Sequence, residues 1–185
     1  MNKIFFSFLI LSFIFATNTE AQKYFTRDGN INFISDAVLE KIEAKNTNAT
    51  SVLDAETGKL EFAVLVKAFQ FEKALMQEHF NENYMESSKF PKAIFKGSID
   101  NFEALDLSKS GTYEVTVVGK LSIHGETQPI KTKGSLKIDG ENILASSVFS
   151  IQVEDYGIKI PSVVKDNVAK EVEIMVDLKY QPFKR

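Results

Sequence analysis

The sequence predicts an all-β fold, an antiparallel eight-stranded barrel with one short helical insertion. Three observations carry that prediction. Apolar and polar residues alternate with period 2 through most of the chain, tight-turn signals interrupt the alternation at short intervals, and one stretch, 71–80, switches to helical spacing. Closure follows from the edges. An open antiparallel sheet of this size leaves two rows of unpaired N–H and C=O groups, and joining its ends removes both. Eight strands enclose an interior that side chains just fill, or that just holds one elongated ligand.

The chain starts with Met1-Asn2-Lys3, then an apolar run of Phe, Ile and Leu over 4–15, then small and polar residues ending in Ala21. That is the three-part plan of a secretory signal peptide. The run is short of the ~20 residues a bilayer span needs. We expect residues 1–21 to be cleaved, leaving 22–185 as one domain without a membrane span; an uncleaved anchor is the alternative. No Cys follows to take a lipid. The expected location is exported, periplasmic or secreted.

Residues 23–27 read as a first strand and Asp28-Gly29 as a tight turn. Ile31, Phe33 and Ser35 alternate next, then Ile42 to Lys45, with 49–53 extended. Glu56-Thr57-Gly58 is a turn. Leu60, Phe62, Val64 and Val66 form an inward set. Over 71–80, Phe71, Leu75, Met76, His79 and Phe80 share one helical face. Residues 81–91 are a loop or broken helix rich in aromatics and Met. Strand character returns over 93–102, and 105–110 is a connector. The stretch 111–138 is the longest hairpin, with Tyr113, Val115, Val117, Leu121 and Ile123 facing Ile130, Leu136 and Ile138 across the join 124–129. After Asp139-Gly140, residues 143–153 alternate. Residues 155–161 break that strand, 162–169 hold one helical turn, and 172–180 are the last strand.

Composition removes several function classes. The charges nearly balance, 22 basic against 25 acidic, with no basic patch for nucleic acid. There is no cysteine, and the two histidines have no metal-ligand spacing. No G-x-S-x-G elbow, paired carboxylate or phosphate-binding glycine loop is present. Lys131, Lys133 and Lys137 share one strand face, read as a solvated outer wall. We expect no enzyme, no metal and no cofactor.

Three segments resemble a known family. Gly119-Lys120-Leu121-Ser122-Ile123-His124-Gly125-Glu126-Thr127-Gln128-Pro129-Ile130 is similar to the G-x-L-T-[IL]-x-G-x-T-x-P-[IV] segment of the YceI-like, polyisoprenoid-binding family. His79-Phe80 through Lys89-Phe90-Pro91-Lys92-Ala93-Ile94-Phe95 resembles its helix, loop and following strand. Phe149 to Ile160, with Asp155-Tyr156-Gly157-Ile158, resembles its late D-[FY]-G segment. The order is the family's, and the likeness spans about Phe62 to Leu178. It departs at 66–71 and at Val153-Glu154, where the family often has Ser-Ile-x-Thr and an Arg, so headgroup contacts are not carried over. The resemblance implies an exported, lipocalin-like barrel whose partner is an amphiphilic lipid or polyisoprenoid.

Period 2 alone favours a filled core for Phe62, Val64, Phe95, Tyr113, Val115, Val117, Phe149, Ile151, Ile174 and Val176. The resemblance makes that set the lining of a ligand site. His79, Phe80, Tyr84 and Tyr156 join it as candidate ligand contacts. Met76, Phe80, Tyr84, Met85 and Phe90 suit a lid over one end, or a helix merely packed on the sheet. His124 reads as a turn-holding residue. Two rivals remain open: a structural or adhesion module with a solid core, and a lipid-modifying enzyme using Tyr113, Ser147, Thr132 or His79. A homodimer through an outer strand is also open.

Overall fold

A computed structural model describes residues 23–183; the expected signal segment lies outside them. The strands are β1 (Lys23–Asp36), β2 (Lys41–Asp54), β3 (Lys59–Leu65), β4 (Gln70–Phe71), β5 (Lys92–Ile99), β6 (Gly111–Ile123), β7 (Glu126–Asp139), β8 (Asn142–Gln152) and β9 (Glu171–Pro182), with one helix, α1 (Ala74–His79). Every pairing is antiparallel. The order β1-β9-β8-β7-β6-β5-β3-β2 is closed by β1 pairing with β2, so eight strands form a barrel. The two residues of β4 only extend the edge of β2.

Two turns differ from the sequence expectation. Asp28-Gly29 is no turn: β1 runs straight through it as a bulge, with register shifts between Thr26, Gly29 and Ile31. A Cβ on Gly29 would sit 2.5 Å from Leu178 Cδ2 and 3.1 Å from the Ala49 carbonyl, so this glycine serves close packing. The join between β6 and β7 is shorter than 124–129. His124 (φ 52°) and Gly125 (φ 86°) form a two-residue turn of the hairpin-favouring mirror type, and Pro129 sits inside β7 opposite Lys120.

The barrel has two unlike ends. At one, the β2–β3 and β7–β8 turns meet the 100–110 connector, whose Phe102 is buried with Leu53, Ile138, Ile143, Leu178 and Tyr180. This solid floor contains a polar chain across three strands. Ser51 Oγ donates to the Glu61 carbonyl at 2.8 Å, which uses its single proton, so Tyr180 donates to Ser51 Oγ at 2.6 Å. The other end carries the β1–β2 tip, the 66–91 segment, the β6–β7 turn and the 153–170 segment. There Ser35 Oγ accepts from Ala169 N (2.9 Å) and Leu39 N donates to the Asp166 carbonyl (2.9 Å).

Burial pushes the Tyr180 phenol up to about 12, against the lowering effect of its Ser51 bond. The neutral phenol is therefore favoured in the folded state. Its stabilisation is complete below the ordinary tyrosine value near 10 and is lost as pH rises through about 12, a loss of roughly 2 kcal/mol. Urea unfolding between pH 8 and pH 12 is expected to show that decline. Tyr180→Phe is expected to cost about 1 kcal/mol near neutrality and to make the alkaline limb shallower without abolishing it, because other buried phenols are raised as well.

Candidate functional site

The inner face does not fill. Above the floor lies a cavity of about 460 Å³, apolar along its walls. A local reason is visible at β5 and β6. Gly97 and Gly119 are paired directly across the two strands, and the Phe95 ring lies over them: a Cβ on Gly119 would be 2.5 Å from Phe95 Cζ and 2.5 Å from the Lys96 carbonyl. The glycines let the ring lie flat on the wall instead of projecting across the lumen.

Of the residues expected to contact a ligand, Phe62, Val64, His79, Phe80, Tyr84, Phe95, Val115, Val117, Phe149, Ile151, Ile174 and Val176 all line this cavity. Tyr113 and Tyr156 do not. Tyr113 has the inward phase but packs on the floor cluster, its hydroxyl within 3.3 Å of the Asp106 carbonyl and 3.2 Å of the Lys109 carbonyl, so it pins the connector. Tyr156 is buried beside the cavity among Val66, Leu121, Ile151 and Ile158. Burial pushes its phenol up to about 12, helped by Asp155, and its hydroxyl has no hydrogen-bond partner. The sequence reading missed Phe33 and Phe69, and the lining from Ile160, Val164 and Val168. Phe33 alternates with Ile31 and was legible; Phe69 follows a 3-10 turn, Val66–Ala68, that breaks the phase.

The 71–80 stretch departs from the expected helix. Phe71 belongs to β4, α1 starts at Ala74, and the backbone continues as a wider π turn, Phe80–Tyr84. Leu75, expected on the inner face, is 61% exposed, while Met76 and His79 line the cavity. Phe80 fixes this roof. Its ring stacks on Phe33 (centroids 5.5 Å apart) and meets Phe71 at 5.0 Å and Phe69 at 5.8 Å. Such pairs add about 0.5–1.5 kcal/mol each beyond area burial.

His124 holds the far end of the roof. Its Nδ1 lies 3.1 Å from the Tyr156 carbonyl and its Nε2 lies 2.9 Å from a Glu86 carboxylate oxygen; the Phe90 ring meets it edge-on at 4.6 Å. Both ring nitrogens thus face acceptors, and the turn, the roof and the 153–156 turn converge on one imidazole. The expectation that His124 holds its turn was too narrow, because it also ties down the segment covering the cavity.

Polar atoms reach the cavity in two places. At the open end these come from Ser35, Glu40, His79 and Asn167. In the wall, β7 pairs with β8 only over Gly134–Asp139, although β6–β7 and β8–β9 pairing continues past that point. Beside this seam Thr132, Ser135, Ser146 and Ser147 enter the lining.

The YceI-like domain family matches residues 23–180. The chain belongs to the YceI-like family. Similar solved structures include a polyisoprenoid-binding domain from Saccharophagus degradans (14% identity, 89% of this chain and 100% of that one, TM-score 0.76). They also include BcnA from Burkholderia cenocepacia (16%, 82% and 95%, TM-score 0.68) and a YCEI protein from Campylobacter jejuni (13%, 77% and 85%, TM-score 0.60). At these identities the likeness establishes the fold. No curated protein sequence matches the chain.

Within this YceI-like barrel the hydroxyls at the seam bond to one another and to backbone. Ser147 Oγ donates to the Lys133 carbonyl at 2.7 Å, and Thr132 Oγ1 lies 3.3 Å from Ser147 Oγ. None of these contacts brings an imidazole or carboxylate to Ser147, as an activated nucleophile needs. Among the described residues no group of three or more His, Asp or Glu could hold a metal.

Two outcomes follow. His124→Asn suits the left-handed backbone but loses the reach to Glu86; amide exchange across 81–90 is expected to speed up while the unfolding midpoint of the barrel stays near wild type. Gly119→Ala forces the β5 backbone or Phe95 to move, and is expected to cost about 1–3 kcal/mol by urea denaturation.

Proposed function

We propose that the protein binds an amphiphile with a long apolar tail, an isoprenoid chain in particular, and holds it for sequestration or carriage outside the cytoplasm. The observation that carries this reading is the unfilled interior. A solid-core module would bring side chains together there, yet the barrel keeps about 460 Å³ open behind an apolar wall, within the ~300–1,000 Å³ usual for ligand sites. The similar domain from Saccharophagus degradans binds polyisoprenoid, which supports the choice of tail. The walls take the tail, and the polar groups of the open end, Ser35, Glu40, His79 and Asn167, take the head. Membership of the YceI-like family and the likeness to a polyisoprenoid-binding domain support a binding role over turnover.

Each buried methylene contributes ~0.8 kcal/mol, about fourfold in affinity. Across a series of prenols, titration calorimetry is expected to show affinity rising with chain length until the cavity is full, then levelling. Solvent extraction of the purified protein followed by mass spectrometry is expected to recover a prenyl-type lipid. An empty extract together with no dependence on chain length would overturn the reading.

A further inference from the structure

The four most exposed of the large apolar side chains among the described residues are gathered at one place. Val38 and Leu39 at the β1–β2 tip are 88% and 70% exposed, Leu75 on α1 is 61% exposed, and Val163 in the 3-10 turn Ser162–Val164 is 88% exposed. The β1–β2 tip touches both other segments: Leu39 N donates to the carbonyl of Asp166 (2.9 Å), two residues past the 3-10 turn, and Glu40 pairs with Lys73 (3.2 Å), just ahead of α1. Each also lines the open end of the cavity through an adjacent residue, Glu40 beside Leu39, Met76 beside Leu75, and Val164 beside Val163. So the segments that line the open end, through polar Glu40 and apolar Met76 and Val164, each carry an apolar tip into solvent.

We propose that this end of the barrel docks on the surface of a lipid bilayer, with Val38, Leu39, Leu75 and Val163 as anchors that enter the interfacial region. The inference rests on the lipid-binding reading and deepens it, since a prenyl lipid resides in a bilayer and must cross from there into the cavity. Two features select a bilayer as the occupant. The anchors are separate tips around an opening, which suits insertion among headgroups. Each tip has an exposed lysine two residues away, Lys41, Lys73 and Lys165, placed as an interfacial cation beside an apolar anchor. Lys41 and Lys73 already pair with Glu43 and Glu40, and Glu72 and Asp166 lie nearby. Attraction to anionic headgroups is therefore modest, and the apolar tips carry the binding.

The test is flotation of the mature protein with phosphatidylcholine vesicles, alone and containing phosphatidylglycerol, beside a separate titration of farnesol in vesicle-free buffer. The wild type is expected to float with both. The variant V38S/L39S/V163S changes only side chains in solvent and is expected to lose roughly tenfold or more in vesicle partitioning while binding farnesol as before. Val148→Ser, an exposed apolar residue on the outer barrel wall, is expected to float like wild type. A wild type that binds farnesol but does not float, or a triple variant that floats equally well, overturns the docking surface and leaves the lipid-binding reading standing. Flotation without farnesol binding overturns the cavity reading instead.

Discussion

The pairing of β1 with both β2 and β9 is the constraint on which the rest depends. It removes both open edges at once and fixes an inner circumference of eight strands. Once that circumference is set, interior volume is no longer adjustable by moving strands; only side chains can fill it. At the floor they do, because Phe102 enters from the connector as a plug and Tyr180 is bonded across to Ser51. Higher up, Gly97 and Gly119 supply no side chains and draw Phe95 against the wall. The cavity is thus the remainder left by closure, shaped by where small residues were placed.

Such a remainder is costly unless it is roofed or occupied, because wall atoms facing a void lose dispersion contacts. The roof is the least regular part of the chain. It combines a two-residue strand, a six-residue helix and a π turn, too short to be stable by local hydrogen bonding alone. Its position comes from packing at one side, through Phe80 on Phe33, Phe69 and Phe71, and from polar contacts at the other, through His124 and Glu86. The aromatic side is dry and the His124 side is partly wet, so the two ends of the roof differ in what loosens them.

The strands were legible because a half-buried strand writes its environment into every second residue. Phe62 and Val64, or Ile174 and Val176, announce an inner face without reference to anything distant, and they line the cavity. Tyr113 shows the limit of that signal. It has the inward phase, yet how far along the barrel axis the floor rises depends on Phe102 arriving from another segment, and alternation carries no such coordinate. Asp28-Gly29 failed for a related reason. The pair is a turn signal locally, but Gly29 answers to Leu178 and Ala49, far away in sequence. Tyr156 and the Ile160 to Val168 lining lie in irregular backbone, where no period exists to read.

The distribution of exposed apolar residues completes this logic. Burial is cheap to arrange on strands, where phase alone decides it, so the apolar residues left in solvent need a reason of their own. Isolated ones such as Val52 or Val148 are ordinary for any surface. Val38, Leu39, Leu75 and Val163 differ because they belong to three separate segments that backbone and ion-pair contacts bring to one opening, and each segment also supplies a cavity-lining residue. Independent segments carrying the same unfavourable exposure at one place point to a shared environment there. An apolar-walled cavity with polar groups at its mouth and exposed apolar tips around it fits the proposed opening toward lipid.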